Sequence, residues 1–191
     1  MIRWRERPAE LPLHALAILW GRLSSDDAKR VAAHCTDGLV ILVDRAARSA
    51  IEAHLAARRD EQGGLLVGDA FMDDAGTIIA LWIRVGIPAI DFESSGVSLR
   101  METGVWTRAR EALRAGELIV GWYHSHPGLG AFFSDTDRAT QRAFFPHPFS
   151  IGWVRDPIHE QDRWFVGADS DEVHPARVLM PERNPLPTCA P

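Results

Sequence analysis

The chain has 191 residues, of which 46% are hydrophobic and 25% are charged, and its formal net charge is −5. This length suits one domain with some terminal extension, and the composition is that of an ordinary soluble globular protein. The acidic balance and the lack of a basic stripe argue against a nucleic-acid-binding protein. No apolar run approaches the roughly 18 residues that a membrane span needs.

The two cysteines, Cys35 and Cys189, lie far apart in dissimilar surroundings. They do not indicate a disulfide framework, and neither has zinc-finger spacing. Both features fit a reducing compartment, so we expect a cytoplasmic protein.

The first part of the chain, residues 1–37, carries little functional information. Ser24 or Ser25 can cap a short helix that has acidic residues in its first turn and basic residues beyond, as the helix dipole favours. We interpret this part as an extra layer packed on the domain.

An apolar, β-branched run over residues 39–43 predicts a strand. Asp44 then has the position of an N-cap for a helix that runs to about Arg59. Ile51 and Leu55 recur at helical spacing, so we expect them to face the core.

Glu61 follows this helix and opens a second strand over residues 64–70. A turn at residues 73–76 and a strand over 77–85 predict a hairpin with that strand. Residues 88–96 are polar and irregular.

A further strand is predicted over residues 97–101. Thr103 can cap a helix that Gly116 ends, and a strand over 118–124 follows.

This last strand carries two histidines at its end. Because alternate side chains of a strand share a face, His124 and His126 should point the same way, and Ser125 should face away from them. A bare His-x-His pair is more often two polar residues near a strand end, so its meaning depends on its neighbours. Asp137 follows after a loop and can supply a third ligand. Two imidazoles and one carboxylate with an open coordination position are typical of a hydrolytic zinc site.

Ser134 and Asp137 have two compatible interpretations. Their Ser-x-x-Asp spacing is that of a capping box, here for a helix over about 136–145. A metal ligand in the first turn of that helix would be held by backbone that the helix itself fixes. Closing strands are predicted over 149–154 and 163–166.

The pattern around these residues resembles the JAMM motif of the MPN-plus (Mov34/MPN/PAD-1) zinc metalloprotease family. That motif has a Glu ahead of a Gly-containing apolar strand, then His-Ser-His-Pro, then Ser-x-x-Asp. Residues 121–128 look especially like the deubiquitinating subunit of the proteasome lid, and the resemblance covers residues 38–168. All five polar positions of the motif are present in the family's order: Glu61, His124, His126, Ser134 and Asp137.

The resemblance implies an α/β chain with the JAMM/MPN (cytidine-deaminase-like) fold, a mixed, mostly antiparallel curved sheet flanked by helices. It implies one Zn²⁺ per chain, held by His124, His126 and Asp137. Glu61 is the expected general base, which takes a proton from water and passes it to the leaving amine. Ser134 is expected to hydrogen-bond the tetrahedral oxyanion. The short connection before residue 163 has only His159 as a soft ligand, so no second metal is expected.

The family cleaves after the C-terminal glycine of ubiquitin or a ubiquitin-like protein. The resemblance therefore implies a zinc-dependent isopeptidase or peptidase that acts in deconjugation or precursor processing. One alternative is the processing of a sulfur-carrier protein in cysteine or cofactor biosynthesis. A second is a non-catalytic MPN scaffold, although such relatives lack the ligands. A third is a metal-dependent phosphoesterase, a class that usually needs more carboxylates than this motif supplies.

The single lysine, Lys29, and the lack of further domains suggest a bacterial homologue. The expected partner is a ubiquitin-like protein or its conjugate as substrate, with no nucleic acid and no membrane; a homodimer or a partner subunit stays open. We expect an N-terminal extension over residues 1–37, the metalloprotease domain over 38–170 and a loose C-terminal tail over 171–191.

Overall fold

The computed structural model describes residues 11–89 and 103–182. Within these residues nine strands form one sheet in the order β8-β7-β6-β5-β3-β4-β2-β9, with β1 paired to β3. The helices are α1 (Leu16–Arg22), α2 (Ser25–Ala32), α3 (Arg45–Ala56), α4 (Thr103–Ala112) and α5 (Asp135–Phe144). The strands are β1 (Leu13–Ala15), β2 (Val40–Val43), β3 (Gly63–Met72), β4 (Ile78–Pro88), β5 (Leu118–Ser125), β6 (Ile151–Asp156), β7 (Gln161–Val166), β8 (Asp171–Glu172) and β9 (Val178–Leu179).

The centre of the sheet is the predicted hairpin of β3 and β4. β5 pairs antiparallel with the other edge of β3, and β6 then lies parallel to β5. The sheet is mixed, because β2 also runs parallel to β4 while β6 and β7 run antiparallel. This arrangement, with helices packed on the sheet, confirms the predicted fold class.

Consecutive residues of β5 enter different cores, because their side chains point to opposite faces of the sheet. On one face Tyr123 packs with Ile51 and Leu55 of α3, which are buried as predicted. On the other face Trp122 packs with Val105 of α4. β5 is therefore covered on both sides, and the chain segment that ends in the two histidines is rigidly held.

The described part of the N-terminal segment shares the core of the sheet. Ser24 caps α2 by accepting a hydrogen bond from the backbone amide of Asp27. Leu19 of α1 and Val31 of α2 pack in one cluster with Phe71 of β3. None of the described helices is long and apolar enough to cross a lipid bilayer.

Asp44 stands at the N-cap position of α3, as predicted, but its side chain does not cap the helix. Its Oδ1 atom accepts a hydrogen bond from the indole Nε1 of Trp82 at 2.8 Å. Trp82 is buried, and a buried indole N–H needs an acceptor, so this tertiary contact takes the carboxylate. The expected side-chain cap is wrong, and α3 ends at Ala56, before the predicted end at Arg59.

The expectation of a loose tail from residue 171 is wrong for residues 171–182. β8 pairs with β7, and β9 lies parallel to β2, where Leu179 is buried. Backbone hydrogen bonds to the sheet and the buried side chains of Val173 and Leu179 hold this polar, proline-containing segment in place. The described residues do not include the predicted strand over 97–101, most of the loop over 88–96, or residues 183–191 with Cys189.

Candidate metal centre

The two motif histidines lie together at the end of β5. His124 is 1% exposed and His126 is 5% exposed, and their Nε2 atoms are 3.2 Å apart. Gly63 of β3 flanks His124 on one side and Val154 of β6 flanks it on the other. His126 continues the pairing beyond β5, since its backbone amide donates to the carbonyl of Arg155 at 2.9 Å. Backbone pairing on both sides therefore orients the two imidazoles.

Asp137 reaches the histidines from the first turn of α5. Its Oδ1 atom is 3.2 Å from Nε2 of His124, and its Oδ2 atom is 3.6 Å from Nε2 of His126. Ser134 and Asp137 form the predicted capping box: the backbone amide and hydroxyl of Ser134 each donate to Oδ2 at 2.7 Å, and the amide of Asp137 donates to the Ser134 hydroxyl at 3.2 Å. The cap fixes the carboxylate, and it also occupies the hydroxyl for which an oxyanion contact was predicted.

The spacing of these three side chains fits a divalent ion. One ligand atom from each of His124, His126 and Asp137 lies within 4.8 Å of the others. A tetrahedral zinc with bonds of about 2.0–2.1 Å holds its ligand atoms about 3.3–3.4 Å apart, close to the separations seen here. The Nε2 atoms of the two histidines face each other at 3.2 Å, so one ion can contact both of them.

At neutral pH, His126 and Asp137 are in the charge states that metal binding requires. Burial, together with the neighbouring His124, lowers the pKa of His126 to about 4, so this imidazole is neutral. Burial alone would raise the pKa of Asp137, but hydrogen bonds from His124 and Ser134 outweigh it and lower the pKa to about 2. A neutral imidazole and an ionised carboxylate can bind a cation without first losing protons.

Glu61 lies beside the cluster, just before β3. Its Oε1 atom is 3.9 Å from Nε2 of His126, and its side chain is 34% exposed. Burial raises the pKa of this carboxyl above its ordinary value, and the nearby His124 opposes the rise. The adjacent Gln62 is fastened to β5 by two hydrogen bonds with Ser125, whose side chain has the structural role predicted for it. Glu61 is thus a carboxylate at the open side of the cluster, within reach of a group bound there.

Aromatic rings contact both histidines of the cluster. The ring of Trp122 is stacked on His124 with centroids 4.6 Å apart, and the ring of Phe132 lies 4.8 Å from that of His126. Trp122 is fully buried, so it is a packing residue and not a substrate platform. Trp122 covers one face of the His124 ring, whereas Phe132 is 46% exposed.

Sequence reasoning did not find Asp156, which organises the loop after His126. Its buried carboxylate accepts hydrogen bonds from the backbone amides of Gly128 at 2.9 Å and Gly130 at 2.7 Å. His159 contacts the same carboxylate through Nδ1 at 2.7 Å. An acidic residue at the end of a predicted strand could have indicated a structural role. The sequence does not show, however, that β6 lies beside β5, which is what brings Asp156 to the loop after His126.

Comparisons with known proteins identify the family of the chain. A family model described as prokaryotic homologs of the JAB domain matches residues 44–181. The chain is 34% identical over 122 residues to the 26S proteasome regulatory subunit rpn11 of Schizosaccharomyces pombe, covering 61% of this chain and 38% of the relative. It is 33% identical over 100 residues to the ubiquitin carboxyl-terminal hydrolase RPN11 of Saccharomyces cerevisiae, covering 50% of this chain and 31% of the relative.

A third relative has a different description. The chain is 37% identical over 95 residues to the NAD(+) hydrolase TcpA of a Theionarchaea archaeon, covering 49% of this chain and 26% of the relative. The chain thus spans well under half of the length of each of these three relatives.

The fold is shared with a solved structure. The solution structure of protein DSY2949 from Desulfitobacterium hafniense matches with a TM-score of 0.58 at 23% identity, covering 74% of this chain and 93% of that one. With the match of the family model over most of the sheet, the fold is that of the JAB/MPN domain. The chain belongs to the family of prokaryotic homologues of the JAB domain.

Proposed function

We propose that this chain is a zinc-dependent peptidase that cleaves after the C-terminal glycine of a ubiquitin-like protein, either from a conjugate or from a precursor. The observation that carries the proposal is the meeting of His124, His126 and Asp137 within 4.8 Å, with Glu61 at their open side. A scaffold without catalysis would have no use for a carboxylate placed next to a complete ligand set. Membership of the JAB family supports the same reaction class.

The three cluster residues would hold one Zn²⁺, which supplies a Lewis acid for the scissile carbonyl and lowers the pKa of water. Glu61 takes the proton of the attacking water and delivers it to the leaving amine. Its burial suits this double role, because a raised pKa makes the carboxyl a better proton acceptor than an exposed glutamate.

Ser134 is proposed to stabilise the oxyanion of the tetrahedral intermediate. Its backbone amide, which donates to Oδ2 of Asp137, can maintain the cap when the hydroxyl turns toward the substrate. The hydroxyl is then free to donate to the developing negative charge. Loss of one such donor typically slows an acyl-transfer reaction about 100-fold or more.

The substrate class comes from the named relatives. One of them is a ubiquitin carboxyl-terminal hydrolase and another is a proteasome regulatory subunit, so we propose a ubiquitin-like protein or its conjugate as substrate. The proposed substrate has one defining feature, an extended C-terminal tail whose last glycine is joined to the leaving group by an amide or isopeptide bond.

The experiment uses the full chain loaded with zinc and a ubiquitin-like protein fused through its C-terminal glycine to a reporter. The wild type should bind one zinc and release the reporter. Glu61→Gln should keep the zinc but lose activity by about 100-fold or more, because general base catalysis is removed. His126→Ala and Asp137→Ala should lose the zinc itself.

Two results would contradict the assignment of roles. Full turnover by Glu61→Gln would remove that residue from the reaction. One tightly bound zinc in His126→Ala or Asp137→Ala would show that the metal lies elsewhere. If the chain binds zinc but cleaves a sulfur-carrier fusion and not a ubiquitin-like one, the proposed reaction stands and the proposed substrate is wrong.

A further inference from the structure

Two buried side chains behind the metal cluster have no part in the reaction proposed above. Gln141 of α5 and Trp122 of β5 are both fully buried. The indole Nε1 of Trp122 donates a hydrogen bond to Oε1 of Gln141 at 2.6 Å. A short hydrogen bond between two buried side chains on different elements fixes how those elements lie against each other.

Each partner of this bond is next to a different ligand. Trp122 lies two residues before His124 on the same face of β5, and the two rings are nearly parallel, 8° apart with centroids at 4.6 Å. Gln141 lies four residues after Asp137, which places both on the same face of α5. The hydrogen bond therefore joins the strand that carries an imidazole ligand to the helix that carries the carboxylate ligand.

The amide of Gln141 is held in one orientation. Its Nε2 atom donates to the backbone carbonyls of Ser150 at 3.1 Å and Gly167 at 3.2 Å, at the adjoining ends of β6 and β7. The opposite orientation would set the NH₂ group against the indole N–H and the oxygen against two carbonyls, which leaves all of them unpaired. Oε1 must therefore face Trp122, and one side chain connects α5 with three strands.

We propose that the Trp122–Gln141 pair is a positioning device that sets the spacing between the ligands His124 and Asp137. The inference rests on the proposed function in one respect, that the cluster binds a metal. Neither residue touches the substrate or the reacting atoms. The pair acts by keeping the imidazole and the carboxylate at the 3.2 Å separation that a single ion requires.

The test measures the zinc affinity of the full chain by competition with a chromophoric chelator, beside its thermal unfolding. Trp122→Phe keeps an aromatic ring on His124 but removes the N–H donor, and Gln141→Met removes the acceptor. Each should weaken zinc binding about tenfold, at the low end of the roughly 10- to 100-fold that outer contacts of metal ligands contribute. The double variant should lose little more than either single one, because the two residues act through one bond.

Trp82→Phe is the matched control. It also removes an indole hydrogen bond to a buried side-chain oxygen, that of Asp44. Trp82 pairs with Asp69 of β3, whereas His124 pairs with Gly63 of the same strand. Asp69 follows Gly63 by six residues, so Trp82 lies about 20 Å from His124 along the strand. This variant should be destabilised like Trp122→Phe and should bind zinc like the wild type.

Unchanged zinc affinity in folded Trp122→Phe and Gln141→Met would overturn the positioning role. The same follows if Trp82→Phe weakens zinc binding as much, because the effect would then be general destabilisation. A wild type that binds no zinc would instead overturn the proposed function, and this inference with it. The positioning role is supported if Trp82→Phe keeps the zinc affinity of the wild type while Trp122→Phe and Gln141→Met each lose about tenfold.

Discussion

The Oγ atom of Ser125 accepts a hydrogen bond from the backbone amide of Gln62 at 2.9 Å. The backbone amide of Ser125 donates in turn to the carbonyl of Gln62 at 2.8 Å. Ser125 lies between the two histidines but faces away from them, so it links the start of β3 to the end of β5 without touching the cluster. Glu61, next to Gln62, is placed beside the histidines by this link.

Ser125→Ala should therefore impair the positioning of Glu61 without removing the zinc. The amide of Gln62 loses its buried side-chain partner, which should lower the free energy of unfolding by about 1–3 kcal/mol. Zinc stoichiometry should stay at one, while kcat falls because Glu61 is less well held. Denaturant unfolding, metal analysis and cleavage of the fusion substrate measure the three quantities.

Ser170→Ala is the control for this change. Ser170 is also buried, but its hydroxyl has no hydrogen-bond partner among residues 11–89 and 103–182. Its removal should leave both stability and kcat near the wild-type values. If Ser125→Ala kept the full kcat under conditions where it is folded, the link would have no role in holding Glu61.

The candidate site was predictable because its signals are local. The period of two on a strand puts His124 and His126 on one face, and the capping pattern puts Asp137 at a helix start. Asp44 shows the limit of such reasoning: it has the local pattern of a cap, but an indole 38 residues away takes its carboxylate. Gln141 could not be identified, because its hydrogen bonds to Trp122, Ser150 and Gly167 depend on which strands neighbour α5.

The ends of the sheet were unpredictable for a related reason. β9 has only two residues, Val178–Leu179, too few to show any periodicity. Its partner β2 lies far back in the sequence and runs parallel to it. Such short strands form because the sheet edge is already present, so the pairing, and not the segment's own composition, determines their structure.

Asp156 should make stability depend on pH in the acid range. Burial opposes its charge, but hydrogen bonds from Gly128, His159 and Gly130 outweigh burial and hold the pKa of this carboxyl below its ordinary value of 3.8. A depressed pKa contributes stability above the unfolded-state value, and the contribution is lost as the pH falls through the folded-state pKa. Compared with Asp156→Asn, the native residue should be more stable by a constant amount at pH 5–7 and lose that advantage progressively below about pH 4.

This comparison is best made with His159→Gln in both proteins, since the imidazole of His159 contacts the same carboxylate. Denaturant unfolding at a series of pH values gives the difference in unfolding free energy. A difference that stayed constant from pH 6 to pH 3 would show that the charge of Asp156 does not stabilise the loop after His126.

Chelation and thiol alkylation should have opposite effects on activity. A strong chelator should abolish cleavage, and added Zn²⁺ should restore it. Burial raises the pKa of the Cys35 thiol, which packs among the apolar side chains of α1 and α2, so it is a poor nucleophile. Iodoacetamide should therefore leave the cleavage rate unchanged, and inactivation by alkylation would point to a thiol in the mechanism.

Gly121→Ala should disrupt the pairing that carries the histidines. A Cβ atom at this position would lie 1.9 Å from the backbone oxygen of Ile151, in the pairing of β5 with β6. Backbone cannot move aside as a flexible side chain can, so we expect a loss of unfolding free energy of at least about 1–3 kcal/mol together with weaker zinc binding. Gly21→Ala in α1 meets no atom within 4 Å and should instead gain about 0.5–1 kcal/mol, because alanine favours a helix. Thermal unfolding of both variants tests the contrast, and a Gly121→Ala protein as stable as the wild type would mean that β5 and β6 do not approach this closely.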